Sequence, residues 1–380
     1  MASFISALDV RRWAEQIAAR STLPQLCRRL VHATDRTVSV VDFPAHESVQ
    51  RSGFDGLVVS EIGNSWVPAG RSIWELGVKK DVKGKADEDY DKRTKETPNA
   101  ERLSTTYIAL TARHWENKRQ WAEDQSKKAE WKEVRAYDAD DLEQWLETAP
   151  AVAAWFSRLV GTRPEDVDDV ESRWNAIAES ATKRLKPQVF LVSRDESVEH
   201  FREWLGKQPS QLAITFRSPS EVVDFVCAAA AAMDEPERTI VSARAIIVES
   251  SRAWKALRDS TTPSVLVIDP SVVLPAEEIG RAVAAGHHVL LAIDPHGWSQ
   301  SGNVIELEGA SEYELSQSLE NCDYKPVEAE QAARAAAGSQ AATCSLSHRE
   351  GNGHRGHDPA RNCPRLLASW GMGRWKRGRP

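Results

Sequence analysis

Long apolar runs are missing from this 380-residue chain: nowhere do about 18 consecutive apolar residues occur, so no membrane-spanning helix is expected. The opening M-A-S-F-I-S-A-L-D-V-R-R also lacks the apolar stretch of a signal peptide. Cysteine is sparse. Cys27, Cys227, Cys322, Cys344 and Cys363 are five in number, scattered and without C-x-x-C spacing, which excludes a disulfide framework and points to a reduced cytoplasm. Positive charge is short as well: the formal net charge of -7 is not that of a strongly basic nucleic-acid binder, so any DNA contact must come from a local patch. Also absent are the G-x-x-x-x-G-K-[ST] phosphate loop, a dinucleotide-binding glycine motif, a nucleophile elbow and a metalloprotease helix, which sets aside the commonest metabolic enzymes.

What is there begins at Gly53. Phe54–Ser60 and Arg71–Gly77 are both strand-like, and Gly63, Asn64, Pro68 and Gly70 between them are turn formers, so the stretch predicts an antiparallel hairpin. Pairing about the middle of that loop would match positions summing to about 131, with Asp55 beside Leu76 and one step from Glu75. Two acids twenty positions apart would then meet at one end of the hairpin. A lysine-rich helix follows, in which Lys85, Asp89 and Arg93 recur at a spacing of four and share a face. Blander readings compete. Asp55-Gly56 is a common turn pair, Glu75 fits the solvent face of an alternating strand, and the mixed charges from Lys79 to Lys95 are those of a solvated helix.

An Asp near the start of one strand and a Glu near the end of the next resemble the PD-(D/E)XK nuclease superfamily, particularly Mrr-like restriction endonucleases, over roughly the first 160 residues. The resemblance implies that Asp55 and Glu75 hold Mg²⁺, with Mn²⁺ as a substitute, and that a lysine positions or activates the attacking water. Carboxylate oxygen suits so hard a cation. The pattern places that lysine two residues past the Glu, where this chain has Gly77. Lys79 shares the strand face of Glu75 but lies about 13 Å along the chain, whereas Lys85 on the following helix could reach back. Lys85 is preferred. The two acids must share one face of the sheet, and burial of either against a structural arginine out of reach of solvent would end the case for phosphodiester chemistry.

The first 45 residues read as two amphipathic helices, Leu8–Arg20 and Leu23–Ala33, with Trp13, Ile17, Leu26 and Leu30 inward; Glu15 would be a further acid in the superfamily but is more simply a surface residue. Thr105–Thr111 reads as a buried strand and Val134–Tyr137 as another, before a helix Ala139–Glu147 that Asp138 is placed to cap. Arg113 and His114, just past a strand end, are candidates for phosphate contact, as is Arg93. Fourteen tryptophans are many, and the eight of them in this region are assigned mostly to packing.

After a polar stretch from residue 161 and a helix with Trp174 and Ile177, a second pattern begins. Val189–Val192, Leu212–Phe216, Ala245–Val248, Val265–Ile268 and Val289–Ile293 alternate with helical stretches, as in a parallel sheet covered on both faces. Val265–Asp269 resembles the strand and terminal Asp of P-loop nucleotide hydrolases. Without the phosphate loop the region looks like a degenerate or truncated signalling-ATPase module, and Asp269 and Asp294 are ordinary strand-end acids. From Ala329 periodicity is lost and disorder is expected, with eight basic side chains against Glu350 and Asp358 from Arg349 onward. Cys344, His348, His354, His357 and Cys363 fit no standard zinc spacing. The abrupt change in residue usage raises the idea that this tail is translated out of an ancestral frame.

The expected fold class is therefore α/β: a restriction-endonuclease-like mixed sheet over 1–160, a linker and helix over 161–186, a second α/β domain with a mainly parallel sheet over 187–328, and a disordered basic tail over 329–380. The expected function is a Mg²⁺-dependent DNA endonuclease of bacterial restriction or phage defence. It would be cytoplasmic, with DNA as partner, no membrane, homodimerisation as is common where both strands are cut, and possible partner proteins of the defence system. The alternative is an inactive nuclease-fold module that binds nucleic acid or a partner protein.

Overall fold

The computed structural model describes residues 5–44, 53–215, 220–293 and 303–347, with side chains to Ala336. The chain divides into two compact units, one built from Met1–Glu165 with Thr239–Ile246 and Ser260–Ser264, the other from Asp166–Arg238, Ile247–Asp259 and Val265 onward. Both are α/β, as the sequence predicts.

The first unit runs α1 (Ala7–Trp13), α2 (Ala19–Thr34), β1 (Val38–Asp42), β2 (Gly56–Ser60), β3 (Gly70–Gly77), α3 (Val82–Glu96), α4 (Asn99–Arg102), β4 (Thr105–Thr111), α5 (Lys118–Lys127), β5 (Glu133–Tyr137), α6 (Ala139–Glu147) and α7 (Pro150–Leu159). The sheet order is β1-β2-β3-β4-β5, antiparallel between β1, β2 and β3 and parallel from β3 to β5. Ser6 and Asp9 form a capping box that starts α1, satisfying the first free N–H groups of the helix. The helix stops at Trp13 rather than running to Arg20. Turn hydrogen bonds from Gln16 to Trp13 and from Ala19 to Gln16 redirect the chain, and Ile17, expected inward, is fully exposed.

Alternation along the strands divides the core in two. Val58, Trp74, Ile108 and Leu110 pack with Trp13, Leu26, Leu30, Leu142 and Trp145 on one face. Ile73, Tyr107, Ala109 and Val134 pack with Ala86, Tyr90, Trp115, Trp121 and Trp131 on the other. The tryptophans are packing residues. Trp74 is fully buried with Phe43, Tyr137 and Trp145 rings centred 5.7, 6.1 and 6.0 Å away, so truncating it to alanine would cost about 3–5 kcal/mol.

The hairpin register differs from the expected one by one position. Gly56 sits opposite Trp74 and Ser60 opposite Gly70. The loop sets this: Asn64 accepts from the N–H groups of Trp66 and Val67 at 2.8 and 2.9 Å, and Gly63 takes φ +73° where a Cβ would strike backbone at 2.5 Å. A one-residue slip exchanges the faces of a strand. Here it puts Asp55 opposite Glu75 instead of Leu76, on the same face of the sheet.

The second unit begins within the polar stretch read as a linker, with β6 (Val167–Asp169) and α8 (Val170–Glu179), and continues through α9 (Gln188–Leu191), α10 (Asp195–Gly206), β7 (Gln211–Thr215), α11 (Ser220–Ala232), α12 (Glu237–Arg244), β8 (Ala245–Val248), α13 (Ser251–Leu257), β9 (Val265–Ile268), α14 (Ala276–Ala284), β10 (His288–Ile293), β11 (Val304–Glu306), α15 (Glu312–Glu320) and α16 (Pro326–Ser347). Of these, α12 from Thr239 onward and the first two residues of β8 are assigned to the first unit. The sheet order is β11-β7-β10-β9-β8-β6, and β11, β7, β10 and β9 pair in parallel. Two expectations are corrected. Val189–Val192 is not a strand: Gln188–Leu191 is a helical turn with Val189 buried against Leu315 and Leu319. Periodicity is not lost at Ala329: α16 continues through it, with Ala329, Ala333 and Ala336 buried along one stripe. The histidines and Cys363 of the tail, its basic side chains and Asp294 lie outside the described residues. No described helix is long and apolar enough to cross a membrane.

Candidate active site

Three carboxylates and two cations converge beside the end of β3. Asp55 immediately precedes β2 and its Oδ2 accepts from the Leu76 N–H at 2.9 Å, a bond that closes the hairpin end and fixes the carboxylate. Glu75 comes from β3. The helix α3, started by Asp81 whose side chain accepts from the Gly84 N–H, brings Lys85, Asp89 and Arg93 along one face. The Lys85 ammonium bonds both oxygens of Asp89. Arg93 Nε meets Glu75 Oε1 at 2.5 Å and its Nη1 meets Glu96 at 2.8 Å.

Charge in this cluster does not balance. Glu75 is 4% exposed. Its burial and the neighbouring Asp55 carboxylate push its pKa up to about 8, against the pull of Arg93. Burial also raises Asp89, opposed by Lys85 and aided by Asp55. For Arg93, burial works against the charge, but Glu75 and Glu96 outweigh it and raise its pKa. Among the described residues, Asp55, Glu75 and Asp89 are not a group whose ligand atoms all lie within 4.8 Å of one another. Carboxylate oxygens such as those of Asp55 and Glu75 are donors of the type that a hard divalent ion prefers.

A cleft of about 350 Å³ opens on Asp55, lined also by Arg20, Phe54, Lys79, Lys85 and Glu88. A smaller pocket of about 20 Å³ adjoins it, lined by Glu75, Lys85, Asp89, Tyr107 and Thr111 among others. Lys85 borders both. Lys79 also reaches both linings, but its ammonium lies 3.8 Å from Glu88, on the solvent side. Gly77, in the position the nuclease pattern gives to lysine, has ordinary space around it: a Cβ there would meet nothing nearer than 3.9 Å.

The three side chains expected to contact phosphate are each engaged by protein groups. Arg93 is buried against Glu75 and Glu96, so its guanidinium is not offered to a ligand. Arg113 ties strand to helix, donating to Val78 O and Ala14 O at 3.0 Å each and pairing with Glu15 at 3.2 Å. Glu15 is thus the surface partner of an arginine. His114 stands 3.6 Å from Asp138 and 3.3 Å from Asp140, where acids would repel a phosphate. Ligand atoms of His114, Asp138 and Asp140 all lie within 4.8 Å of one another and could hold a metal. Asp138 is already saturated, however: it accepts from the N–H groups of Trp115, Asp140 and Asp141, and Lys118 Nζ sits 2.5 Å away. A cation there would have to displace Lys118.

The residue that sequence reasoning missed is Tyr107, which lines the small pocket and whose own hydroxyl is buried; its only signal was an odd position in an otherwise apolar strand. Likewise Asp89, on the face shared with Lys85, was legible as a spacing but not as the partner that holds the ammonium. In the second unit, Asp269 accepts from the Ser271 N–H and hydroxyl at 2.9 and 2.6 Å, a turn contact consistent with an ordinary strand-end acid. No family model, curated protein or solved structure matches the chain.

Proposed function

We propose that the first unit is a Mg²⁺-dependent DNA endonuclease site of the PD-(D/E)XK kind, serving a bacterial restriction or phage-defence function, with Asp55 and Glu75 as metal ligands and Lys85 in the role of the lysine that Gly77 leaves vacant. The observation that carries the reading is the hairpin register: Gly56 opposite Trp74 carries Asp55 to the strand face of Glu75, and Asp55 and Lys85 line the same cleft. A divalent cation bound there would polarise the scissile phosphate and neutralise charge on the leaving oxygen. Asp55 is held in place by the Leu76 N–H, so its orientation does not wait for substrate. Lys85, paired with Asp89, orients the attacking water and stabilises negative charge on the phosphate. Arg20 and Lys79 at the cleft wall attract the DNA backbone, a local basic patch on an otherwise acidic chain. Homodimerisation and defence-system partners belong to this same reading.

One observation favours a second reading, a noncatalytic nuclease-fold module that binds nucleic acid or a partner protein. Glu75 is 4% exposed and paired with Arg93, the arrangement that ends the case for phosphodiester chemistry unless a bound ion displaces the guanidinium, and the strand lysine is absent. Plasmid nicking with Mg²⁺ and with Mn²⁺ separates the two. The nuclease reading expects nicking by the parent chain and its loss in Asp55→Ala and Glu75→Ala; no nicking, or variants that cut as well as the parent, leaves the binding module.

A further inference from the structure

The cleft that opens on Asp55 carries more than a sugar–phosphate backbone alone would need. Pro24, Pro44, Phe54, Leu76 and Val78 bring apolar groups into it beside the cations Arg20, Lys79 and Lys85. Phe54 is half-buried against the core on the Tyr107 face of the sheet, and the Arg93 guanidinium stands 5.6 Å from its ring centre, so the ring is held before any ligand arrives. Arg20 is exposed near the start of α2 and pairs with no acid among the described residues. Of the two acids in the lining, Glu88 is met by the Lys79 ammonium at 3.8 Å and Asp55 is bonded to the Leu76 N–H. At about 350 Å³ the cleft lies at the small end of the roughly 300–1,000 Å³ of pockets that enclose a ligand. A duplex keeps its bases in the stack and turns phosphates and groove edges outward, so it has no apolar face to set against Phe54. An unpaired nucleotide has both parts, a π-face that stacks on an aromatic ring and flanking phosphates for the cations.

We propose that the cleft takes one unpaired nucleotide of a DNA strand, its base stacked on Phe54 and its phosphates met by Arg20 and Lys79, which makes single-stranded or locally opened DNA the substrate class of this site. The choice of DNA as ligand, and of a scissile phosphate beside Asp55, rests on the nuclease reading. A duplex reaches the site only by extruding a base, an unfavourable step that a single strand avoids. Phe54 favours the unpaired strand without reading its sequence, because every base has a π-face. Arg20 and Lys79 supply the salt-dependent part of the affinity.

The test is fluorescence anisotropy with the full chain, Ca²⁺ as the only divalent ion, and one labelled mixed-sequence oligodeoxynucleotide offered as a single strand and as its blunt duplex. The single strand should bind at least about tenfold more tightly than the duplex. Phe54→Leu, which keeps an apolar side chain and removes the ring, should weaken single-strand binding by about fivefold or more and leave its salt dependence unchanged. Arg20→Gln should weaken it and lower the slope of log affinity against log salt by about 0.7, the loss of one phosphate contact. A duplex bound as tightly as the single strand, a Phe54→Leu affinity equal to the parent's, or no binding of either oligonucleotide overturns the proposal. Should Phe54→Leu fail to fold, the strand preference of the parent and the Arg20→Gln slope decide. Plasmid nicking is scored separately. Nicking that Asp55→Ala abolishes, with affinities indifferent to Phe54, keeps the nuclease reading and removes the unpaired nucleotide; the affinity pattern without nicking removes the nuclease and leaves the cleft to the noncatalytic module.

Discussion

Replacing Glu75 by glutamine tests the electrostatics at the centre of the site. The rise of the Glu75 pKa from 4.5 to about 8 means that ionising it costs up to about 5 kcal/mol more in the folded protein than in the unfolded chain. Between those two pH values the folded state holds a proton that the unfolded state has lost, so stability is greatest below about pH 4.5, declines as pH rises and levels off above about 8. Glutamine has the same shape and no proton to lose. The variant should match the parent near pH 4.5 and be more stable by about 3 kcal/mol at pH 7, with Arg93 still paired to Glu96. Urea unfolding followed by tryptophan fluorescence at several pH values measures this, and subtracting the two curves cancels the other titrating groups. The opposite sign refutes the reasoning: were Glu75 ionised by Arg93 throughout, glutamine would strand a buried guanidinium and cost about 3–5 kcal/mol at pH 7.

Two further outcomes follow from the geometry. Lys85→Ala should lower nicking by at least about a hundredfold, the range for a positioned proton-transfer or charge-stabilising group; adding Gly77→Lys, which the space around Gly77 admits, should restore part of it, and no recovery in the double variant would show that the strand position cannot serve. Asp138→Ala should destabilise the first unit by about 3 kcal/mol in chemical denaturation, because it removes the cap of α6 and leaves the Trp115 N–H without its partner; a change below about 1 kcal/mol would contradict the bonding described.

The hairpin was legible because glycine, proline and asparagine mark its loop and apolar residues fill its arms, but its register was not. Counting from the loop centre cannot see that Asn64 cross-links the turn and that Gly63 bends it, and that one-residue difference decides whether Asp55 faces Glu75. Spacing by four correctly put Lys85, Asp89 and Arg93 on one helix face. It gave no sign that Arg93 would be spent on Glu75, since a sequence shows the face and not what lies across from it. In the second unit Ala245–Val248 and Val265–Ile268 were readable as strands from unbroken apolar runs, whereas Val189–Val192 has the same texture in a helical turn, where four residues are too short for period to discriminate. The edge strands β1 and β6 were missed because exposure or acidic residues hid the pattern. The alanine stripe of α16 was read as a loss of periodicity although its spacing was helical.

The pair between Arg93 and Glu75 is also a rivet. One half belongs to the sheet and the other to α3, eight positions along the helix from Lys85. How far the ammonium stands from the acids is therefore a matter of how tightly helix and strand are fastened, and a site whose parts ride on separate elements is aligned by a joint instead of by a single rigid strand.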